Sequence, residues 1–377
     1  MSRFQVAHAT GNDWQGAASA CLAALGAVPA GANLGFLYVT DHLAGDVDAI
    51  LARLRRETGI ADWVGTAGIG VSANDGSSGE PREYYDCPAM ALLVGSFPTR
   101  SYCVFEPVHG GLGPFRSAHG DWLGRAAPIF GVVHGDPRNP LTPSIVAELA
   151  EATGSFLVGG LTSSRVGFPQ IAERVVEGGV SGVLFAGEVA VATGLSQGCS
   201  PIGPMRTVTD GEANLVKSID DKPALEALMT DIGVADMREI GRAAQSVHVA
   251  LPVQESDTGD YLVRNLIGID PMRGWIAIGD RVSPGDRLMF TRRDRAGAEQ
   301  DLRRMLDRLA RRAGPAVKGG VYYSCVARGP NLFGPDSEEL KLIRDRIGDV
   351  PLVGFFANGE ICHNRLYGYT GVLALFL

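Results

Sequence analysis

The sequence predicts an α/β or α+β fold in two domains, each built from a mixed β-sheet packed with helices. Helical and strand patterns alternate along the chain, and many of the 50 glycines stand where a helix must end or a strand must turn. The length of 377 residues exceeds what one hydrophobic core usually supports, about 250 to 300 residues. These observations favour two domains with separate cores.

The first half of the chain alternates helices with buried strands. Its predicted strands are continuous apolar stretches that begin at Asn33, Trp63, Met90, Ser155 and Gly179. Helical patterns that end at Gly26 and Gly59 precede the first two strands. The sequence pattern changes between Pro201 and Asp221, where a rigid turn and a hairpin-like connector lead to a new helical pattern. We therefore place the domain boundary at residue 215, giving domains of residues 1–215 and 216–377.

The second half has its own strands and helices. YLVRNLIGID and GWIAIG read as strands, and AEQDLRRMLDRLARRAG reads as an amphipathic helix. VYYSC and PLVGFF are two further strands, separated by the helical pattern DSEELKLIRDRIG, with Asp336 as a cap and Glu339 three residues later. We expect a ligand cleft at or near the interface of the two domains.

Composition excludes several classes of partner. The formal charge is −8 and the pI is near 5.4, whereas nucleic acids and anionic membranes require a dense basic surface. The N-terminus lacks a signal peptide pattern, and no apolar run approaches the roughly 20 residues of a membrane span. Six cysteines are spread singly along the chain, which favours reduced thiols. We expect a cytoplasmic protein.

Common catalytic signatures are absent from the sequence. It contains no Cys-x-x-Cys pair, no His-Glu-x-x-His, no phosphate-binding P-loop, no Gly-x-Ser-x-Gly elbow and no acidic calcium loop. These absences favour a binding protein over a familiar hydrolase, kinase or dehydrogenase, and we expect no metal site.

Two polar loops, each following a strand, are the candidate functional segments. SCVARGPNLFG carries Cys325, Arg328 and Gly329, and GFFANGEICHNRL carries a second set: Phe355, Phe356, Asn358, Gly359 and Glu360. Binding residues often lie on loops held by a rigid scaffold. If the two strands are neighbours, these side chains converge on one cleft. Arg328 would hold a carboxylate, and Glu360 or Asn358 would accept an ammonium or amide group.

Structural roles explain some of these residues equally well. Cys325 follows a hydrophobic strand and fits an inert buried thiol, and Arg328 fits an ion pair with Glu360. Arg264 is a second candidate for a ligand carboxylate. Cys199 stands in a rigid turn that either presents the thiol to a ligand or only shapes the backbone.

The two loops, taken together, resemble the C-terminal half of the FIST domain. The specific features are the Gly-Phe-Phe-x-x-Gly-Glu-Ile and Cys-x-x-Arg-Gly loops and the closing YGYT, while SQGCSPIGP and its connector are similar to the end of the family's N-terminal half. The resemblance runs from about residue 30 to the end of the chain. It implies FIST N-terminal and C-terminal domains on either side of residue 215.

The resemblance implies a bacterial sensory module for signal transduction that binds a small, amino-acid-like or otherwise anionic or zwitterionic metabolite. No kinase, cyclase or receptor segment is recognisable, so we expect a separate signalling protein, such as a kinase or a cyclase, to receive the signal. Some members are regarded as haem-binding nitric oxide sensors, which makes His248 and His363 candidate haem ligands here. A third hypothesis is a cysteine-dependent enzyme with Cys325 as nucleophile and His363 as base.

Overall fold

A computed structural model describes residues 4–76, 79–253 and 259–377. It has mixed α and β structure, which confirms the predicted fold class. The chain forms two compact units, one of residues Met1–Ser196 with Leu302–Leu377 and one of residues Gln197–Asp301. Residue 215 is the first residue of a strand inside the second unit.

The first unit begins with two successive stretches of similar element order. The first stretch contains β1 (Phe4–Thr10), α1 (Trp14–Leu25), β2 (Leu34–Thr40), α2 (Val47–Thr58), β3 (Asp62–Gly68), β4 (Gly70–Asn74), β5 (Arg82–Tyr85) and β6 (Ala89–Gly95). The second contains β7 (Tyr102–Val108), α3 (Gly113–Ala126), β8 (Pro128–Gly135), α4 (Thr142–Thr153), β9 (Phe156–Leu161), β10 (Gln170–Ala172), β11 (Arg174–Val176) and β12 (Val180–Ala186).

A third stretch of the same kind is interrupted by the second unit. It starts with β13 (Val191–Gln197). The second unit then contains β14 (Cys199–Pro201), β15 (Arg206–Glu212), β16 (Leu215–Ile219), β17 (Lys222–Pro223), α5 (Ala224–Ile232), α6 (Met237–Ala243), β18 (Val247–Pro252), β19 (Tyr261–Asp270), β20 (Trp275–Ile278) and β21 (Arg287–Arg293). The third stretch continues with α7 (Arg295–Ala313), β22 (Gly319–Cys325), α8 (Glu338–Ile347), β23 (Leu352–Ala357), β24 (Glu360–Cys362), β25 (Arg365–Tyr367) and β26 (Thr370–Phe376).

The three stretches form three sheets of the same topology. The strand orders are β1-β6-β2-β3-β10-β11, β7-β12-β8-β9-β24-β25 and β13-β26-β22-β23-β4-β5. Each sheet contains one parallel pair, β2–β3, β8–β9 or β22–β23, whose strands are joined through a helix. Each repeat also gives its hairpin to the sheet of another repeat. The first unit is therefore a triplicated fold whose repeats are interlocked.

A glycine marks the same position in each repeat. Gly65, Gly159 and Gly354 stand in the second strand of each parallel pair, opposite Leu37, Val133 and Tyr322 respectively. A Cβ atom at these glycines would lie 1.8, 1.8 and 1.6 Å from the carbonyl oxygen of the residue opposite. Such distances exclude any side chain, so the equivalence of the repeats extends to backbone geometry.

The inner faces of the three sheets meet in a buried polar cluster. Tyr38, His134 and Tyr323 occupy equivalent positions in β2, β8 and β22. Each directly follows the residue that pairs with the glycine of its repeat. The Tyr38 hydroxyl lies 2.7 Å from the Tyr323 hydroxyl and 3.2 Å from Nε2 of His134. Burial lowers the pKa of His134 to about 3, so its ring is neutral.

The second unit is a closed antiparallel barrel with its own core. Its strands follow the order β21-β15-β16-β20-β19-β18, and β18 pairs with β21 to close the ring. Closure leaves the barrel strands without long free edges. The barrel core includes Val208, Val216, Leu228, Val249, Ile276, Ile278, Leu288 and Phe290. Residues 207–220, predicted as a hairpin-like connector, lie in the β15–β16 hairpin and the turn after it.

Candidate functional site

The two candidate loops leave adjacent parallel strands. β22 pairs in parallel with β23, and Cys325 at the end of β22 is opposite Ala357 at the end of β23. Because the carboxyl ends of parallel strands meet at one sheet edge, the loop after Cys325 and the loop that contains Asn358 and Gly359 start side by side. Asn358 is exposed, whereas Cys325, Arg328 and Glu360 are buried.

Arg328 is fully buried and forms an ion pair with Glu339 at the start of α8. Its Nη2 lies 2.6 Å from Oε1 of Glu339, and its Nε donates to the same oxygen at 2.8 Å. Arg328 Nη1 and Nη2 also contact the carbonyl and hydroxyl oxygens of Ser196, each at 3.4 Å. Burial alone would lower the pKa of Arg328. The Glu339 carboxylate raises this pKa by more than burial lowers it, so the guanidinium remains charged. Its hydrogen bonds hold the loop in place.

Glu339 is the centre of this buried network and was not predicted as a site residue. Its carboxylate also accepts hydrogen bonds from the hydroxyls of Tyr322 and Ser324, at 2.7 and 2.9 Å, and from the backbone N–H of Gly329 at 3.0 Å. The predicted capping role is wrong, because α8 begins at Glu338 with Ser337 as its N-cap, and no side chain caps that end. A Glu in the first turn of a helix is common because it interacts favourably with the helix dipole, so its burial is not predictable from the sequence.

Two buried polar groups from β5 face the same network, and sequence analysis missed both. Glu83 Oε2 and the Tyr85 hydroxyl are buried without a hydrogen-bond partner. Burial raises the pKa of Glu83 well above its ordinary value, and the nearby Glu339 carboxylate adds to the shift, so the environment favours the protonated acid. β5 belongs to the first repeat and joins this sheet through β4. Only the exchange of hairpins between repeats brings these groups to the site.

Gly329 packs closely against Phe356 and Tyr85. Its φ is +51°, and a Cβ atom there would lie 2.4 Å from the Phe356 ring and 3.3 Å from the Tyr85 hydroxyl. The Phe356 ring in turn contacts the Tyr85 ring, with centroids 4.5 Å apart. Phe355 faces the opposite way, toward the inner cluster, and stacks on Tyr38 with centroids 5.3 Å apart.

Glu360 lies on the inner face with one free oxygen. Its Oε2 accepts hydrogen bonds from the backbone N–H and the hydroxyl of Thr370, at 3.0 and 2.7 Å. Its Oε1 is buried and has no nitrogen or oxygen donor. Burial raises the pKa of Glu360 to about 8, against the opposing effects of the Thr370 hydrogen bonds, the Arg328 charge and a hydrogen bond from the Cys325 thiol. Burial, together with Glu360, raises the pKa of the Cys325 thiol, which opposes formation of the thiolate that a nucleophile requires.

Three other candidates lie in the second unit. Cys199 is buried in β14, and His248 belongs to β18. Arg264 in β19 donates to Asp280 at 2.8 Å, so its charge is compensated within that unit. The structure therefore assigns them to a different compact unit from Arg328 and Glu360.

His363 occupies the turn between β24 and β25 with a φ of +58°. Its ring stacks on Phe156 with centroids 5.2 Å apart, and burial lowers its pKa. Within the described ranges 4–76, 79–253 and 259–377, three or more metal-ligating side chains do not come together. A haem site at His248 or His363 stays a prediction.

Two matches to known protein domains establish the family of the chain. Residues 33–222 match the FIST N domain, and residues 224–363 match the FIST C domain. Together the two matches cover most of the chain. The chain belongs to the FIST family.

The FIST protein also resembles curated bacterial proteins. The uncharacterized protein Rv0628c of Mycobacterium tuberculosis strain H37Rv is 33% identical over 308 residues, which cover 77% of this chain and 78% of that protein. The uncharacterized protein Mb0898c of Mycobacterium bovis is 33% identical over 236 residues, covering 59% of this chain and 61% of that protein. FIST domains are associated with sensors in signal transduction. Helices in the described part of this FIST protein are too short or too polar to cross a membrane.

The site of the FIST protein offers hydrogen-bond acceptors more than free cations. Arg328 is compensated by Glu339, whereas Glu83 and Glu360 each present a buried oxygen without a partner. A buried carboxyl group must stay protonated or gain a donor or counter-ion. This chemistry suits a ligand that carries an amino group or another strong donor.

Proposed function

We propose that this FIST protein is a sensory module that binds a small amino-acid-like metabolite at the carboxyl ends of β22 and β23. Glu360 accepts a hydrogen bond from the amino group of the ligand. Phe355 and Phe356, at the end of β23, support the loop that follows this strand. A separate signalling protein, such as a kinase or a cyclase, receives the signal.

The free oxygen of Glu360 carries this proposal. Nearly all buried polar atoms in folded proteins have a hydrogen-bond partner, so a fully buried carboxyl oxygen without one calls for an explanation. A ligand amino group supplies both the donor and the positive charge that this oxygen lacks. The cost of leaving such a group unpaired is about 1 to 3 kcal/mol, which ligand binding would recover.

The equivalent positions of the other two repeats are filled differently. Gln170 in the second repeat is equivalent to Glu360, since each pairs with the equivalent residue of its neighbouring sheet. Gln170 is fully engaged, because its Nε2 donates to Gly179 at 2.9 Å and its Oε1 accepts from Ser181 at 2.6 Å. The first repeat places Val71 there. The unpaired acceptor is thus a feature of the third repeat.

Native mass spectrometry of the protein purified from its own host tests the proposal. We expect a retained small molecule in the wild-type protein and a loss of at least about tenfold in occupancy in Glu360→Gln, since an amide cannot balance an ammonium charge. Gln170→Glu serves as the matched control, because it alters the equivalent position of the second repeat. It should retain the molecule.

Two results would contradict the proposal. The first is a wild-type protein without any bound small molecule, even after incubation with the twenty amino acids. The second is a bound molecule that Glu360→Gln retains unchanged. If the purified protein contains haem, seen by its Soret absorption, the haem hypothesis drawn from the family resemblance would replace the proposal of an amino-acid-like ligand.

A further inference from the structure

Helix α3 packs loosely on its sheet. Phe115 is the one buried residue of α3, all of whose residues the structure describes. Its counterpart in the first repeat, α1, buries a row of four side chains: Ala17, Ala18, Cys21 and Leu25. α3 therefore buries fewer side chains against the second sheet than α1 buries against the first, with Trp122 and Leu123 partly buried.

A cavity of about 630 Å³ lies beside the start of α3. It lies between β7, the first turns of α3 and the turn that joins β10 to β11. Its volume is in the range that small-molecule sites usually have, about 300 to 1,000 Å³. The apolar part of the lining includes Val108, Phe105 and Phe115, and the two phenylalanine rings contact each other edge to face with centroids 5.4 Å apart.

The polar part of the lining consists of His109, His119, Glu106 and Glu173. Nδ1 of His119 lies 3.3 Å from Sγ of Cys103, a contact that fixes the ring. Burial lowers the pKa of His119, so its imidazole is neutral near pH 7. A neutral ring can accept or donate one hydrogen bond toward the cavity without adding charge.

The two carboxyl groups of the lining differ. Glu106 forms an ion pair with Arg174 at 2.8 Å, so its charge is compensated. Glu173 stands at the tip of the β10–β11 hairpin with a φ of +59°, a backbone conformation that costs free energy in a non-glycine residue. Burial raises the pKa of Glu173, Asp62 adds to the shift, and Arg55 opposes it. Glu173 is an exposed residue, and within the described part of the chain its carboxyl group forms no ion pair, so it is the carboxyl group of the lining that is open to a cationic ligand.

We propose that this cavity is a second ligand site, which binds a small organic cation with an apolar body. The apolar body contacts Phe105 and Phe115, and the cationic amine pairs with Glu173. The start of α3 lies at the rim and carries about half a positive charge, which is smaller than the full charge of one carboxylate. A metal ion would need three or more ligating groups together, and the described part of the chain does not offer such a group. The site uses different residues from the Glu360 site and does not depend on it.

Three probes of one shape test the charge preference: 2-phenylethylamine, 2-phenylethanol and phenylacetate. Binding to the full-length protein is measured by ligand-observed NMR titration. We expect the amine to bind saturably and about tenfold more tightly than the alcohol, and phenylacetate to bind more weakly than either. Glu173→Gln should remove the preference for the amine, whereas Glu151→Gln, an exposed carboxyl on α4, should keep it.

A second variant tests the location. Ala118 lines the cavity and is an exposed residue of α3. Ala118→Phe therefore places a large side chain in the cavity without replacing a buried residue. Its melting temperature should stay close to the wild-type value, and binding of all three probes should be lost. Absence of saturable amine binding to the wild-type protein, equal affinity for all three probes, or unchanged binding to Ala118→Phe would each overturn the proposal.

Discussion

At the scale of single residues, the site is defined by a compensated charge and by uncompensated acceptors. Arg328 and Glu339 are both fully buried and satisfy each other, together with the hydroxyls of Tyr322 and Ser324. Glu360 has one oxygen that accepts from Thr370 and one oxygen without a nitrogen or oxygen donor. The Arg328 guanidinium organises the loop through its ion pair with Glu339, and its predicted role in ligand binding stays a prediction. The proposal places the ligand at the carboxyl group of Glu360.

Breaking the buried ion pair should be strongly destabilising. We expect Arg328→Met and Glu339→Leu each to lower the free energy of unfolding by about 3 to 5 kcal/mol, because each leaves one buried charge uncompensated. The double variant should lose less than the sum of the two, since it removes both charges. Urea denaturation of the three variants measures this. Additive losses would show that the two side chains do not act as a pair.

The pKa of Glu360 predicts a specific pH dependence. The folded value of about 8 is higher than the ordinary value of 4.5, so folding favours the protonated acid. This stabilising contribution is complete below about pH 4.5 and is lost as the pH rises to about 8, at up to about 1.4 kcal/mol per pH unit. The stability of ligand-free wild-type protein relative to Glu360→Gln should therefore decrease over this window, as followed by urea denaturation. A constant difference from pH 4.5 to 8 would refute the assignment.

At the scale of elements, the parallel strand pairs set the geometry of the site. Each pair requires one glycine against which the neighbouring carbonyl oxygen packs, and each places the polar end of its first strand at the same sheet edge. Hairpin exchange then brings β4 and β5 of the first repeat beside β23, which delivers Glu83 and Tyr85. The site is assembled from two repeats.

The glycine positions give a direct test of this geometry. Gly354→Ala would place a Cβ atom 1.6 Å from the Tyr322 carbonyl oxygen, so we expect a loss of at least about 4 kcal/mol or failure to fold. Gly120→Ala in α3 meets no atom within 4 Å and should gain about 0.5 to 1 kcal/mol from helix propensity. Thermal unfolding compares the two. Equal melting temperatures for Gly354→Ala and wild type would contradict the strand register.

The sequence predicted the elements better than their pairing. Strands at Trp63, Ser155 and the PLVGFF segment were recognised from apolar content, and they are the second strands of the three parallel pairs. A local signal for the triplication exists, because Val64-Gly65, Val158-Gly159 and Val353-Gly354 each follow a helix that ends at glycine. Hairpin exchange depends on contacts far apart in the chain, and no local pattern reports it. The placement of Glu83 and Tyr85 was beyond prediction for this reason.

At the scale of the whole molecule, the chain combines a triplicated unit with a barrel that interrupts its third repeat. The ends of the barrel unit lie close together, since the backbone N–H of Gln197 donates to Asp301 at 2.6 Å. Close ends are typical of a domain that can be inserted into another without disturbing it. The FIST N and FIST C matches divide at residues 222–224, inside this barrel unit.

The barrel unit should fold without the rest of the chain. Residues 197–301 contain a closed barrel and a separate hydrophobic core, so we expect a single cooperative unfolding transition in urea for that fragment. Residues 197–253, which lack three strands of the barrel, are the control and should show no such transition. A fragment of residues 197–301 that unfolds without cooperativity would show that its stability depends on the other unit.

The most direct test of the ligand site is a high-resolution crystal structure of the protein purified from its own host. We predict electron density for a small organic molecule with a nitrogen donor about 2.7 to 3.2 Å from Oε1 of Glu360. Density for ordered water alone at that oxygen, or a protein nitrogen or hydroxyl group that donates to it, would contradict the proposed role of Glu360 in ligand recognition.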